Sequence, residues 1–165
     1  MAIAARDFRE LRLESMSRTF GSINALKGVT LSVRRGEFIA LLGPSGCGKS
    51  TALNCLAGLL TLSGGSVWLD TTRIDHLPPE ARGFGMVFQN YALFPHMSVR
   101  RNIGFGLNMH GIAKDKIGRK VDEALSIVRL GDQGDKLPGQ LSGGQQQRVA
   151  IARAIVIEPP LVIID

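Results

Sequence analysis

One stretch limits what this chain can become. Residues 38–51 read Phe-Ile-Ala-Leu-Leu-Gly-Pro-Ser-Gly-Cys-Gly-Lys-Ser-Thr. Phe38 to Leu42 is a short apolar run, expected as a buried strand. The next eight residues, Gly43-Pro44-Ser45-Gly46-Cys47-Gly48-Lys49-Ser50, fit G-x-x-x-x-G-K-[ST] at every fixed position. Glycines let the backbone take positive φ and turn several N–H groups towards one point, and such a nest binds an anion. Ser50 to Leu60 is rich in Leu and Ala and is expected as a helix, whose N-terminus adds free donors and the positive end of the dipole. In that setting Lys49 can reach the β- and γ-phosphates of a nucleotide, and the Ser50 hydroxyl can ligate Mg²⁺. The apolar run before the loop and the helix after it are the context the motif requires, which weighs against a glycine-rich turn matching by chance.

The chain has 165 residues, of which 44% are hydrophobic. That is enough for one globular domain with a real core. The net charge of +6 admits nucleic acid, anionic lipid or nucleotide phosphate as a partner. The basic residues are dispersed, however, with Arg34-Arg35 and Arg100-Arg101 only as pairs. A solvated basic surface is the expectation, and nucleic acid is not expected as a partner. Cys47 and Cys55 form no C-x-x-C pair, which suits free thiols in a reducing compartment. Met1 to Glu10 carries charges at Arg6, Asp7, Arg9 and Glu10, unlike a secretory signal. No apolar run approaches the ~18 residues of a spanning helix, so any membrane role is expected to come through a partner.

Read along the chain, Leu11–Met16 alternates apolar and polar residues and is expected as an edge strand. Val29–Val33 alternates likewise, and Arg34–Glu37 is a polar turn into the Phe38 run. Together these three segments suggest a small antiparallel sheet feeding the phosphate loop. Ser66–Asp70 is expected as a further strand, Pro78-Pro79-Glu80 as the start of a short helix, and Gly85–Phe88 as a buried strand ending at Gln89. An aromatic-rich loop, Asn90–Met97, precedes Ser98, a plausible N-cap for a helix from Val99 to about Met109. Asp115–Leu130 places Ile117, Val121, Ala124, Leu125 and Val128 on one helical face, and Gly131 is expected to stop it. Gln145–Ile157 is expected as a helix, and Leu161–Asp165 as a fully buried parallel strand ending in a carboxylate. Strands alternating with helices make the fold α/β.

Three further features carry chemistry. Asp165, at the end of an apolar strand, can hold Mg²⁺ opposite Ser50. Leu141-Ser142-Gly143-Gly144-Gln145 puts a hydroxyl and unshielded N–H groups at a helix start, a second anion site or simply a well-made N-cap. Phe20, between the first two strands, reads equally as a base-stacking ring or as an ordinary core aromatic.

In their order, Gly43–Ser50, Gln89, Leu141–Gln145 and Leu161–Asp165 resemble the nucleotide-binding subunit of an ABC transporter, from about Leu11 to Asp165. The segment Val87–His96 most resembles the ATPases of binding-protein-dependent importers, in the spermidine/putrescine, ferric-iron, sulfate and sugar group. The resemblance implies a P-loop NTPase core with a mostly parallel sheet, an N-terminal antiparallel β subdomain, and a helical subdomain over about residues 89–140 with the signature. It implies ATP and Mg²⁺ as ligands. Phe20 would stack on adenine, a position more often held by tyrosine in the family. Gly43, Pro44, Ser45, Gly46, Cys47, Gly48, Lys49, Ser50 and Thr51 would hold the phosphates. Ser50, Gln89 and Asp165 would serve the metal, and Lys49, Gln89 and Asp165 would serve catalysis. Ser142, Gly143, Gly144 and Gln145 would bind the γ-phosphate of ATP held by a second copy, head to tail. Membrane permease subunits would be the other partners, with the ATPase in the cytoplasm on the inner face of the membrane, and polyamine the inferred cargo.

The pattern departs from the family at its end. The family places a glutamate after the Asp165 position and a switch histidine further on, whereas His76, His96 and His110 lie elsewhere. The sequence as it stands reads as a nucleotide-binding domain lacking its C-terminal part. A chain ending at Asp165 is expected to hydrolyse ATP poorly. A soluble ABC-type ATPase acting on nucleic acid or ribosomes would usually carry long insertions between Lys49 and Leu141, and this chain has none. A non-catalytic nucleotide-binding module is the remaining alternative.

Overall fold

A computed structural model describes residues 8–165. The chain divides into two compact units, one comprising the chain up to Phe84 together with Asp165, the other Gly85–Ile164.

The first unit is built on a four-stranded antiparallel sheet. Its strands are β1 (Glu10–Phe20), β2 (Ile23–Arg34), β3 (Gly64–Leu69) and β4 (Thr72–Arg73), in the order β2-β1-β3-β4. β1 is therefore interior and not the edge strand expected, because β3 returns to pair with it, Leu13 opposite Val67 and Leu11 opposite Leu69. Alternation still sets the faces: Leu11, Leu13, Val33, Val67 and Leu69 are all buried. The polar turn after β2 forms as expected, with the Glu37 N–H donating to Arg34 O at 3.1 Å.

The Phe38–Leu42 run corrects an expectation. It lies in no ladder, and Phe38 is 88% and Leu42 91% exposed. An apolar run becomes a buried strand only when neighbours supply hydrogen-bond partners and covering layers. No described strand pairs with this one.

Helix α1 (Lys49–Ala57) follows the phosphate loop and ends at Gly58, whose left-handed φ of 86° suits a residue without Cβ. Its C-terminal carbonyls meet a buried cation. Arg82, in the short helix α2 (Pro79–Arg82), is 2% exposed. Its Nη1 donates to Cys55 O at 2.9 Å and Leu56 O at 2.7 Å, Nε to Leu77 O at 2.9 Å, and Nη2 to Asp75 O at 2.8 Å. Every one of these acceptors is a main-chain carbonyl, and two of them lie at the negative end of the helix dipole. Burial lowers the Arg82 pKa, and the charges of Asp75 and Cys55 oppose the shift.

The second unit contains β5 (Gly85–Val87) and β6 (Val162–Ile164), paired in parallel, with α3 (Val99–Met109), α4 (Lys114–Ile127) and α5 (Gly143–Ile155). Val99, Ile103 and Leu107 of α3 pack with Val121, Ala124 and Leu125 of α4 and with Val149 and Ala152 of α5. These positions recur every three or four residues, so each helix turns one face to a shared core. Ala150 and Ala154, on another face of α5, pack with Val87 of β5. The β6 run is three residues long and only partly buried, with Ile163 inside and Ile164 half exposed. A single parallel pair covers only part of what the apolar pattern suggested. Ser98 caps α3 as expected, accepting from the Arg101 N–H. α4 stops at Ile127, earlier than expected, because Val128 caps it and Arg129 takes a left-handed φ of 55°. Gly131 instead opens a 3₁₀ turn.

Replacing Arg82 by Leu would take this donor from the carbonyls of Leu56, Asp75 and Leu77, while Cys55 O keeps the Gly58 N–H. At 1–3 kcal/mol for each unsatisfied buried group, we expect a loss of about 3 kcal/mol or more. Urea unfolding monitored by circular dichroism would measure it, with the exposed Arg101→Leu control shifting stability by no more than about 0.5 kcal/mol.

Candidate functional site

The phosphate loop leaves its donors open. Gly48 is the N-cap of α1 with a left-handed φ of 98°, and no side chain caps the helix. Lys49, Ser50 and Thr51 occupy the first helical positions, where no intrahelical carbonyl reaches their N–H groups. Gly48 admits no other residue: a Cβ there would lie 2.4 Å from Ala25 O and 3.1 Å from Leu26 Cδ2. The β2 strand thus seats the loop by direct backbone approach.

The lysine folds over this loop. Lys49 Nζ donates to Gly43 O at 2.7 Å and Pro44 O at 2.8 Å, with Cys47 Sγ at 3.5 Å. A cation held by two carbonyl dipoles rather than a carboxylate can exchange them for phosphate oxygens without leaving a buried charge unpaired. Cys47 is exposed and Cys55 buried, and both are free thiols. Burial raises the Cys55 pKa, against the opposing charges of Arg18 and Arg82.

Ser50 and Asp165 lie far apart in sequence and meet in the structure. The Ser50 hydroxyl donates to Asp165 Oδ1 at 2.7 Å. A hydroxyl and a carboxylate at this distance form a hard-oxygen donor pair that fits Mg²⁺, an ion that usually keeps several waters and takes one or two protein carboxylates beside phosphate oxygens. Among the described residues no group of three or more His, Cys, Asp or Glu side chains could hold a metal by itself. The residues present therefore suit a cation that arrives with phosphate, and not a closed protein cage.

Phe20 closes β1 at the β1–β2 hairpin, opposite Ile23, and is 41% exposed. Of the two readings the sequence left open, core aromatic and stacking ring, the exposure disfavours the first. Gln89 sits exposed in the second unit, in the turn after β5 that the Tyr91 N–H closes on Phe88 O at 2.8 Å. Ser142 caps α5 in a capping box: its hydroxyl accepts from the Gln145 N–H at 3.3 Å, and its own N–H donates to Gln145 Oε1 at 2.9 Å. Ser142, Gly143 and Gly144 are all exposed, and a Cβ on either glycine would meet nothing within 4 Å.

Sequence reasoning missed the residues that hold the loop after Gln89. Tyr91 and Ala92 take positive φ, 62° and 45°. Arg153, from the last turn of α5, donates to Ala92 O at 2.7 Å and Tyr91 O at 2.9 Å. The fully buried Asn102 accepts from the Phe94 N–H and donates to Phe94 O and Met97 O. Neither residue type announces such a role. Only a polar Asn at a core-facing position of α3 hinted that it had to be satisfied.

The ABC transporter family profile matches residues 26–165. The chain is 53% identical over 153 residues to the spermidine/putrescine import ATP-binding protein PotA of Oleidesulfovibrio alaskensis, covering 93% of this chain and 41% of that protein. It is 49% identical over 156 residues to the lactose transport ATP-binding protein LacK of Rhizobium radiobacter, covering 94% of this chain and 43% of that one. The chain thus spans about two fifths of the length of these curated relatives. The fold resembles that of MJ0796, described as a dimeric bacterial ABC transporter cassette. The TM-score is 0.85 at 34% identity, covering 94% of this chain and 73% of that one. With a phosphate loop, an Asp165–Ser50 pair and a capped Ser-Gly-Gly-Gln helix start inside the matched span, this chain belongs to the ABC transporter family.

Proposed function

We propose that this chain is the ATP-binding portion of an ABC importer subunit, in which ATP binding and hydrolysis drive solute entry through membrane permease subunits. The observation that carries the reading is the Ser50–Asp165 contact beside the uncapped N-terminus of α1. It joins an anion cradle to a hard-oxygen pair, and Mg²⁺-nucleotide is the ligand that needs both.

In this reading the amides of Gly43–Thr51 hold the phosphates, and Lys49 exchanges the Gly43 and Pro44 carbonyls for β- and γ-oxygens. Ser50 and Asp165 hold Mg²⁺, which supplies neutralisation of the phosphate charge. Phe20 stacks on the base. Gln89, exposed in its turn, orients the attacking water or touches the metal. The Tyr91–His96 loop, strapped by Arg153 and Asn102, meets the permease.

Ser142–Gln145 serves a second copy of the chain. Gly143 and Gly144 sit in helical positions with open space around them, where alanine would be better by about 0.5–1 kcal/mol each. Nothing among the described residues requires them. Close approach by an external phosphate does, and the γ-phosphate bound by the partner copy is the one the head-to-tail dimer would bring. Polyamine is the proposed cargo class, on the likeness to the spermidine/putrescine protein. A lactose-transport relative at similar identity fits a cargo choice made outside this chain, in the permease and binding protein. No described helix is long and apolar enough to cross a membrane, which fits an ATPase bound peripherally to the inner face.

Three experiments bear on this. Lys49→Ala in the intact transporter should abolish Mg-ATP binding and labelled spermidine uptake together, and uptake that survives the loss of binding would overturn the reading. Gly144→Ala should leave stability unchanged or raise it by up to about 1 kcal/mol, yet lower ATPase turnover of the intact dimer at least about tenfold. Equal losses in stability and turnover would show a structural glycine instead. Under native conditions N-ethylmaleimide should label Cys47 and spare Cys55. Mg-ATP at ten times its Kd should slow Cys47 labelling about tenfold, and equal rates with and without nucleotide would count against the cradle.

A further inference from the structure

Phe20 is not a solitary ring. The Arg18 guanidinium carbon lies 4.5 Å from the centroid of the Phe20 ring. Positions two apart on a strand share a face, and a register shift between Arg18 and Thr19 adds a local irregularity that can re-aim them. The guanidinium is itself anchored, with Nη1 donating to Thr61 O at 2.8 Å. Its Nε is buried without a hydrogen-bond acceptor. An arginine so placed has one carbonyl and one aromatic face as its partners.

The strand that carries the pair is tied to the segments on both sides of the phosphate-loop helix. On the N-terminal side, Leu26 is the cross-strand partner of Arg18, and it lies against Gly48, the N-cap of α1. On the C-terminal side, Thr61 receives Arg18, and Ser63 Oγ receives the Thr19 N–H at 3.0 Å. A ring held by Arg18, whose strand is anchored on both sides of α1, keeps a set position relative to the amides at the helix start.

We infer that Arg18 is a positioning residue for the nucleotide base: it covers one face of Phe20, fixes the ring, and leaves the other face as the platform for the base. The inference rests on the base-stacking role proposed for Phe20. A planar cation on a ring draws electron density from it, and an electron-poor ring stacks better on an electron-rich purine. The arrangement is a three-layer stack of guanidinium, phenyl and base. It supplies through Arg18 a rigidity that a lone exposed phenylalanine lacks. No other charged side chain is in ring contact with Phe20 among the described residues.

The test separates base from phosphate. Binding of Mg-ATP and of Mg-tripolyphosphate, which has the phosphates and no base, would be measured by calorimetry on the intact protein and on Arg18→Met, Arg18→Lys and Phe20→Ala. Arg18→Met should raise the Kd for Mg-ATP about fivefold, within the range of a cation–π contact. It should leave tripolyphosphate within about twofold, a margin small beside the tenfold step that 1.4 kcal/mol represents. Arg18→Lys keeps the charge and the stem but not the planar stack, and should fall between. If Arg18→Met and Arg18→Lys weaken both ligands equally, Arg18 acts through the fold or on the phosphates, and the inference fails. It also fails if neither ligand weakens. Phe20→Ala tells the two readings apart. Loss confined to ATP in Phe20→Ala but absent in Arg18→Met overturns the role of Arg18 alone. No preferential loss of ATP in Phe20→Ala overturns the base platform itself.

Discussion

A helix end with unpaired amides has to be held in place by something other than its own cap. α1 shows how this chain arranges it. At its start no side chain satisfies the first turn, and Gly48 lets the β2 backbone come within contact of the loop. At its finish the carbonyls meet a buried guanidinium and a left-handed glycine. The open end keeps its donors free, and the closed end supplies the rigidity. Capping both ends would stabilise the helix by about 1 kcal/mol and remove the donors that a phosphate needs. The Ser50–Asp165 contact belongs to the same logic, placing hard oxygens where a cation bound to that phosphate would sit.

The start of α5 follows the opposite rule. Ser142 and Gln145 cap each other, so α5 has a side-chain cap of its own. What it offers outwards is the backbone of two glycines that internal packing does not demand. One helix start is thus left unsatisfied and steadied from its far end. The other is self-capped and bare.

Much of this was legible in residue order. The phosphate-loop motif, the Ser98 and Ser142 caps, and the apolar face of α4 rest on local rules of spacing and hydrogen bonding, and the caps and the helix form as those rules require. What spacing could not reveal were partners distant in sequence. β1 is interior because β3 returns to it, and no periodicity within β1 encodes that return. Arg82, Arg153 and Asn102 are polar residues whose acceptors are main-chain carbonyls in other segments, and a carbonyl has no letter in a sequence. Arg18 lay nearer to view, two positions before Phe20 on a strand, where side chains share a face. The Phe38–Leu42 run failed differently. Its composition is that of an interior strand, but composition specifies the demand for neighbours without supplying them.

That run also bears on how the polypeptide behaves as it matures. Five nearly continuous apolar residues, with main-chain groups in no sheet, form a template on which another extended segment can zip. Any strand that paired with it would also guard against self-association. The residues that lead into the glycine-rich loop thus carry a risk of self-association for as long as they stay uncovered.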